Sequence, residues 1–285
     1  MKLGVAGMMP SSWRQIDLAA TQRVRRAGFC GASLFIQDPL AAEEDQVLRV
    51  KAAFDQAGLE VAQANGWYEV LVHPDEERRS AGIRGLGALC RIARWVAAPT
   101  VYVRPGSLNP NGAWWPHPEN HTQQTFDRLV DSMRRVCLDA EQEDVILGIE
   151  GHVLSPLDSA QRIADLFSAV GSRILKFNVD PVNFVGTVPD VYDTGRVVNE
   201  LFDLLGADTV AAHAKDCALG DALVVHIEEV VLGTGFMDYE TFLRRFEACC
   251  PGGYMLIEHL PDEKVPQARQ AILQLAGRLG IKMEM

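Results

Sequence analysis

The stretch Val145-Ile-Leu-Gly-Ile-Glu150, running on into Gly151-His152, decides how the chain is read. A short apolar run bounded by polar residues reads as a strand buried on both faces. The glutamate follows with no turn residue before it, and a carboxylate there cannot stay charged and buried without a partner. The same arrangement returns at Tyr254-Met-Leu-Ile-Glu258, followed by His259. Variant forms stand at Ile174-Leu-Lys-Phe-Asn-Val-Asp180 and at Thr209-Val-Ala-Ala-His213. Four strands therefore each end in a residue able to bind a metal.

Working outward, further strands are expected over 3–7, 31–36, 59–64 and 100–103. Helices are expected over 11–27, 43–56, 76–97, 120–142, 158–170, 191–205, 238–249 and 265–279. Their ends carry recognisable signals: Ser11 or Ser12 as the first cap, Asp238 as a later one, and Gly28, Gly58 and Gly206 as stops. Eight strands alternating with eight helices imply parallel strands and right-handed crossovers. Such units close into a (β/α)8 TIM barrel. No linker or composition shift divides the chain, so residues 1–285 read as one barrel domain. Two connections are long. One, at about 106–118, is rich in proline, glycine and asparagine and suggests a lid. The other spans about 216–237, and within it 222–227 reads as a hairpin strand over the mouth.

Composition narrows the function. With 48% hydrophobic and 23% charged residues in 285, the chain is an ordinary globular protein with room for a large core. A net charge of -11 argues against a nucleic-acid groove and leaves small neutral ligands such as sugars open. No run reaches the roughly 18 apolar residues of a membrane helix, and the first seven residues are too short and polar for a signal peptide. Six scattered cysteines without Cys-x-x-Cys spacing suit reduced thiols in a cytoplasmic protein.

In barrels the chemistry sits where strands end and βα loops begin. Glu150, Asp180, His213 and Glu258 stand at four successive strand ends, which lie side by side and can converge on one point. Three carboxylates and an imidazole suit one divalent ion; Mn²⁺, Mg²⁺ and Co²⁺ fit best, with Zn²⁺ as a further choice. Without a cation the carboxylates would raise one another's pKa. His152, Asn183, Lys215, Asp216, Arg104 and His259 lie at or just beyond strand ends, where they can touch a substrate. Trp67, Trp114 and Trp115 sit on mouth loops and offer an apolar wall against a sugar ring or aglycone.

These pieces resemble the xylose isomerase-like superfamily of sugar phosphate isomerases and epimerases. The group includes ketose 3-epimerases, inosose-processing enzymes and endonuclease IV. The likeness is carried by Leu147-Gly-Ile-Glu150, Asn178-Val-Asp180-Pro-Val-Asn183, His213-Ala-Lys-Asp216, Gly233-Thr-Gly235 and Leu256-Ile-Glu258-His259. It implies that Glu150, Asp180, His213 and Glu258 are metal ligands, Mn²⁺ foremost, and that Glu150 and Glu258 are the catalytic acid/base pair. The implied reaction is isomerisation or epimerisation of a sugar or keto-sugar, by proton abstraction beside a carbonyl through a metal-stabilised enediolate. It also implies a homo-oligomer. Three positions depart from the pattern. Asn183 stands where many members have histidine, Pro156 where the epimerases have a substrate-binding glutamate, and Leu219 where they have arginine. The altered shell keeps open a lyase or dehydratase acting on a keto-sugar, inosose or keto-glycoside. An endonuclease IV-like nuclease is disfavoured by the acidic charge, by only seven histidines and by Asn183.

Overall fold

The computed structural model describes residues 1–285. Eight parallel strands close into a barrel: β1 (Lys2–Val5), β2 (Gly31–Ile36), β3 (Glu60–Gly66), β4 (Thr100–Val103), β5 (Ile146–Ile149), β6 (Leu175–Val179), β7 (Thr209–Ala214) and β10 (Tyr254–Ile257). The last closes against the first, with Lys2 opposite Tyr254 and Val5 opposite Ile257. A two-stranded antiparallel ribbon, β8 (Asp216–Leu219) and β9 (Ile227–Val230), stands outside it. Helices α1 (Leu18–Arg26), α2 (Glu44–Ala57), α3 (Glu76–Trp95), α4 (Gln123–Glu143), α5 (Ala160–Val170), α6 (Val188–Tyr192), α7 (Thr194–Leu205), α8 (Tyr239–Cys249) and α9 (Val265–Leu279) fill the connections. No helix is long and apolar enough to cross a membrane.

Strand parity sorts the side chains. Val101 and Val103, Leu147 and Ile149, Phe177 and Val179, Ala212 and Ala214, Met255 and Ile257 all join the main apolar cluster between strands and helices. Tyr102, Glu150, Asn178, Asp180, His213 and Glu258 have the opposite parity and face the barrel axis. The lower interior is narrow. A Cβ on Gly4 would meet Leu256 at 2.5 Å, so only glycine fits there. Two register shifts matter higher up. The pairing of β2 with β3 shifts between Ala32 and Ser33, leaving Ala62 as the extra residue of β3 and turning Gln63 inward. The pairing of β6 with β7 shifts between Phe177 and Asn178. Such bulges re-aim side chains next to sites.

Three local expectations are corrected. The first helix begins at Leu18, not Ser11, because the Asp17 side chain caps it by accepting from the Ala20 N–H; Trp13–Gln15 is a separate 3-10 turn. The helix expected over 191–205 is broken into α6 and α7 at Asp193, whose carboxylate caps α7. Gly206 ends α7 after Leu205 as expected, in a right-handed conformation that leads into a 3-10 turn. The hairpin strands after β7 are 216–219 and 227–230, so most of the stretch expected as a strand forms their connecting turn. Gly58 and Asp238 act as expected, as a left-handed stop and a side-chain cap.

Candidate metal centre

Glu150, Asp180, His213 and Glu258 each offer one ligand atom, and the four atoms lie within 4.8 Å of one another. The first three residues are fully buried. His213 Nδ1 lies 3.0 Å from Glu150 Oε1 and 3.1 Å from Glu258 Oε2. Neither approach has the angle of a hydrogen bond, so the nitrogen is left without one. Both oxygens of Asp180 are likewise buried without a hydrogen bond, although Lys215 Nζ stands 2.7 Å from Oδ2. Buried polar atoms are nearly always satisfied. A cation among the four ligand atoms would satisfy the unpartnered Asp180 and His213 atoms, and the donor set fits a hard or borderline divalent ion.

The ligands are held from behind. His213 Nε2 donates to Gln63 Oε1 at 3.1 Å, which turns Nδ1 toward the carboxylates. Gln63 Nε2 donates to Asn178 Oδ1 at 3.0 Å, and Asn178 Nδ2 donates to Glu150 Oε1 at 3.1 Å. Tyr102 donates its hydroxyl to Glu150 Oε2 at 2.5 Å and packs its ring 5.2 Å from the imidazole. Partners of this kind fix ring orientation and tautomer and raise ligand basicity. Gln63 and Tyr102 are not singled out in the sequence, and Asn178 stands there as the first residue of the Asn178–Asn183 motif. Asn178 and Tyr102 share the inward parity of Asp180 and Glu150, and a glutamine inside a buried strand is itself a signal.

Without a cation the cluster is electrostatically tense. Burial opposes charge on His213, but Glu258 and Glu150 outweigh it and hold the imidazole at about 10. Burial pushes Asp180 up to about 7 despite the pull of Lys215. Burial also works against Glu258, yet His213 and Lys215 keep it well below the usual carboxylate range. Lys215, opposed by burial, is kept well above its ordinary value by Asp180, Glu258 and Glu150. Its ammonium reaches Glu258 Oε1 at 2.7 Å and donates to Asn183 Oδ1 at 3.3 Å.

The remaining expected site residues divide. His152 accepts the Leu154 N–H on Nδ1, packs 5.9 Å from Trp114, and is pushed down to about 4 by burial and by Lys215. It is therefore neutral at pH 7, with Nε2–H as its donor. Asn183 is buried and ties Lys215 to the Gly151 carbonyl. His259, with φ 59, pairs Nδ1 with Glu229 Oε2 at 3.0 Å and so links β9 to the edge of the centre. Arg104 and Trp67 lie across the mouth and line a cavity there. Two residues are not brought to the site. Asp216 was expected to touch substrate, but its oxygens accept from the backbone N–H groups of Cys217, Gly233, Gly235 and Met237 at 2.9–3.0 Å. It anchors the connection after β7, and a Cβ on Gly235 would strike its Oδ1 at 2.4 Å. Trp115 is 56% exposed and packs on Gly112.

A family model described as xylose isomerase-like TIM barrel matches residues 21–276. Comparison with curated protein sequences gives no match. Among solved structures, the fold superposes on 3-keto-D-glucoside 4-epimerase from E. coli, at 17% identity over 97% of this chain and 99% of that one, TM-score 0.72. It superposes on a xylose isomerase-like TIM barrel protein from Mycobacterium smegmatis in complex with magnesium, at 15% identity over 96% and 95%, TM-score 0.72. D-psicose 3-epimerase from Clostridium cellulolyticum H10 with D-tagatose matches at 15% identity over 99% and 100%, TM-score 0.73. At these identities the likeness is one of fold.

Proposed function

The chain belongs to the xylose isomerase-like TIM-barrel family, and on that premise we propose that it is a divalent-metal-dependent sugar isomerase or epimerase. The observation that carries the reading is the clustering of one ligand atom each from Glu150, Asp180, His213 and Glu258 within 4.8 Å, with His213 Nδ1 left without a hydrogen bond. The solved relatives named as epimerases of a keto-glucoside and of psicose favour a sugar carrying a carbonyl. Mn²⁺ suits three carboxylates and an imidazole, with Mg²⁺, Co²⁺ and Zn²⁺ as alternatives. Six free cysteines agree with a reducing, cytoplasmic setting.

Glu150, Asp180, His213 and Glu258 would hold the ion, which when bound supplies Lewis-acid polarisation of a carbonyl. Glu150 and Glu258 serve as the proton-transfer pair, one removing a proton from the carbon beside the carbonyl and the other returning it. Their settings differ. Glu150 accepts from Tyr102 and Asn178 and shares the His213 imidazole with Glu258. Glu258 also lies 2.7 Å from the Lys215 ammonium. His152 presents Nε2–H to a substrate oxygen.

Lys215 supports a second reading. An ammonium among the ligand carboxylates can protonate a leaving group, so that elimination on a keto-sugar or keto-glycoside follows proton abstraction. One experiment separates the two: incubation of metal-loaded protein with ketoses, inososes and 3-keto-glycosides in D₂O. Deuterium in recovered or epimerised sugar supports the first reading, and an unsaturated or cleaved product the second. Metal content and turnover unchanged in both Glu150→Gln and Glu258→Gln would sink the site itself.

A further inference from the structure

Away from the metal ligands, the barrel mouth holds a cavity of about 620 Å³ over the ends of β2, β3 and β4. That volume accommodates a small organic ligand. Leu40, Trp67, Tyr68 and Leu108 give it an apolar and aromatic wall, and Arg104 gives it a charge. Arg104 follows β4 with the same parity as Tyr102, the residue that holds Glu150, so its side chain leaves the strand on the mouth side. It is only 6% exposed. Its guanidinium carbon lies 4.3 Å from the Tyr68 ring centre and 5.1 Å from that of Trp67. Its backbone N–H is satisfied by the Tyr68 hydroxyl, but its guanidinium makes no hydrogen bond and no ion pair within the protein.

The other charges on this wall are already matched. Asp38 accepts from Trp13 Nε1 at 2.9 Å and pairs with Arg14 at 2.8 Å. Glu69 pairs with Arg78 at 2.8 Å, and Arg78 also meets His73 Nε2 at 3.1 Å. Arg104 is left as a cation with little surface exposed, stacked on rings, lining the cavity and without a partner in the protein. A guanidinium keeps its proton, and its donors face the cavity with no acceptor supplied by the protein.

We propose that Arg104 is an oxyanion subsite and that the substrate is an acidic sugar. Such a substrate carries a carboxylate or phosphate remote from its carbonyl, and the anion lies on the guanidinium fork beside Trp67. A planar fork matches either oxyanion with paired hydrogen bonds. The identity of the rest of the ligand rests on the sugar reading of the metal centre; the anion contact does not.

The test compares three probes on the Mn²⁺-loaded protein by calorimetry: fructose, fructuronate and fructose 6-phosphate. One anionic probe is expected to bind about 10–100-fold more tightly than fructose, the size of a charge-assisted hydrogen-bond pair. Arg104→Met is expected to erase that margin, Arg104→Lys to keep part of it, and Glu150→Gln to keep its Arg104-dependent portion. Which anion gains decides between carboxylate and phosphate. Equal binding of all three probes overturns the proposal, as does binding of none, or a margin that survives Arg104→Met. If the methionine variant does not fold, the lysine variant decides, since it must weaken the preferred anion more than fructose. Deuterium exchange is read separately. Anion binding without exchange removes the reaction and leaves the subsite, whereas exchange into fructose with no anion preference does the reverse.

Discussion

At the ends of β5, β6, β7 and β10 the charges of the candidate centre face one another, whereas at the ends of β2–β4 one cation faces aromatic rings and a cavity. The first half holds opposite charges close enough to fix one another, and its geometry is set by a relay from Gln63 to Glu150. The second half has an unspent charge and about 620 Å³ of space. The difference separates what the site does from what it reads. Three positions where the resembling epimerases carry other polar groups support the division. Pro156 is buried, Leu219 packs on the small cluster around Val191, and Asn183 holds Lys215. With those positions changed, polar recognition has to come from elsewhere on the mouth.

The sharpest way to break this comparison is to remove a proton-transfer carboxylate. Glu150→Gln and Glu258→Gln are each expected to lower turnover by about 10²–10⁴-fold, the usual contribution of a positioned acid or base. Metal analysis of the same variants should show reduced occupancy. Retention of full activity in either would move the chemistry out of the charged half.

A smaller effect is expected one step back. Gln63→Leu removes the acceptor that orients His213 and should weaken metal affinity by about 10–100-fold. Titration of metal into the variant checks it. An unaltered affinity would mean that the carboxylates alone orient the imidazole.

The relay also shows how far the sequence could be read. Glu150, Asp180, His213 and Glu258 were legible because each ends a short apolar strand, and eight such strands fix where ends meet. Gln63 was not, because its inward direction depends on the bulge at Ala62, which no local pattern announces. Asp216 looked like a mouth residue from its place in His213-Ala-Lys-Asp216, but four backbone donors from the following connection consume it. Those donors come from as far away as Met237 in sequence, beyond any local reading. Arg104 was legible as a mouth residue, while its lack of a partner required knowing that Arg78, not Arg104, takes Glu69.

Proton linkage gives a graded test of the charged half. His213 at about 10 and Asp180 at about 7 both sit above their ordinary values of 6.5 and 3.8. Their contribution to the stability of the metal-free fold is therefore present below those ordinary values and lost as pH rises through 7 and 10. A metal needs both groups deprotonated, so its affinity runs the other way. Between pH 7 and 10 it should rise about tenfold per unit as the His213 proton is displaced, and more steeply between 4 and 7 where Asp180 also gives up its proton. The thermal shift caused by metal should grow over the same window. Calorimetry in buffers of different ionisation enthalpy should count about one proton released at pH 8. A pH-independent affinity would show that His213 does not ligate.

The smallest effect is expected in the other half. Trp67 is 58% exposed, lies 5.1 Å from the Arg104 guanidinium, and meets Phe35 edge-on at 5.7 Å. Trp67→Ala removes one ring from the cation and opens the cavity wall, while Tyr68 at 4.3 Å still covers the guanidinium. A partly exposed cation–π contact is worth about 0.5–1 kcal/mol. Substrate binding should therefore weaken only about two- to fivefold, and the loss should appear in KM more than in kcat. Metal affinity and its pH dependence should match the parent protein, because no residue of the ligand relay touches Trp67. A Trp67→Ala variant that lost metal would join the two halves into one network. One that lost only KM would show that the aromatic wall serves recognition while the ligand cluster beside it serves chemistry.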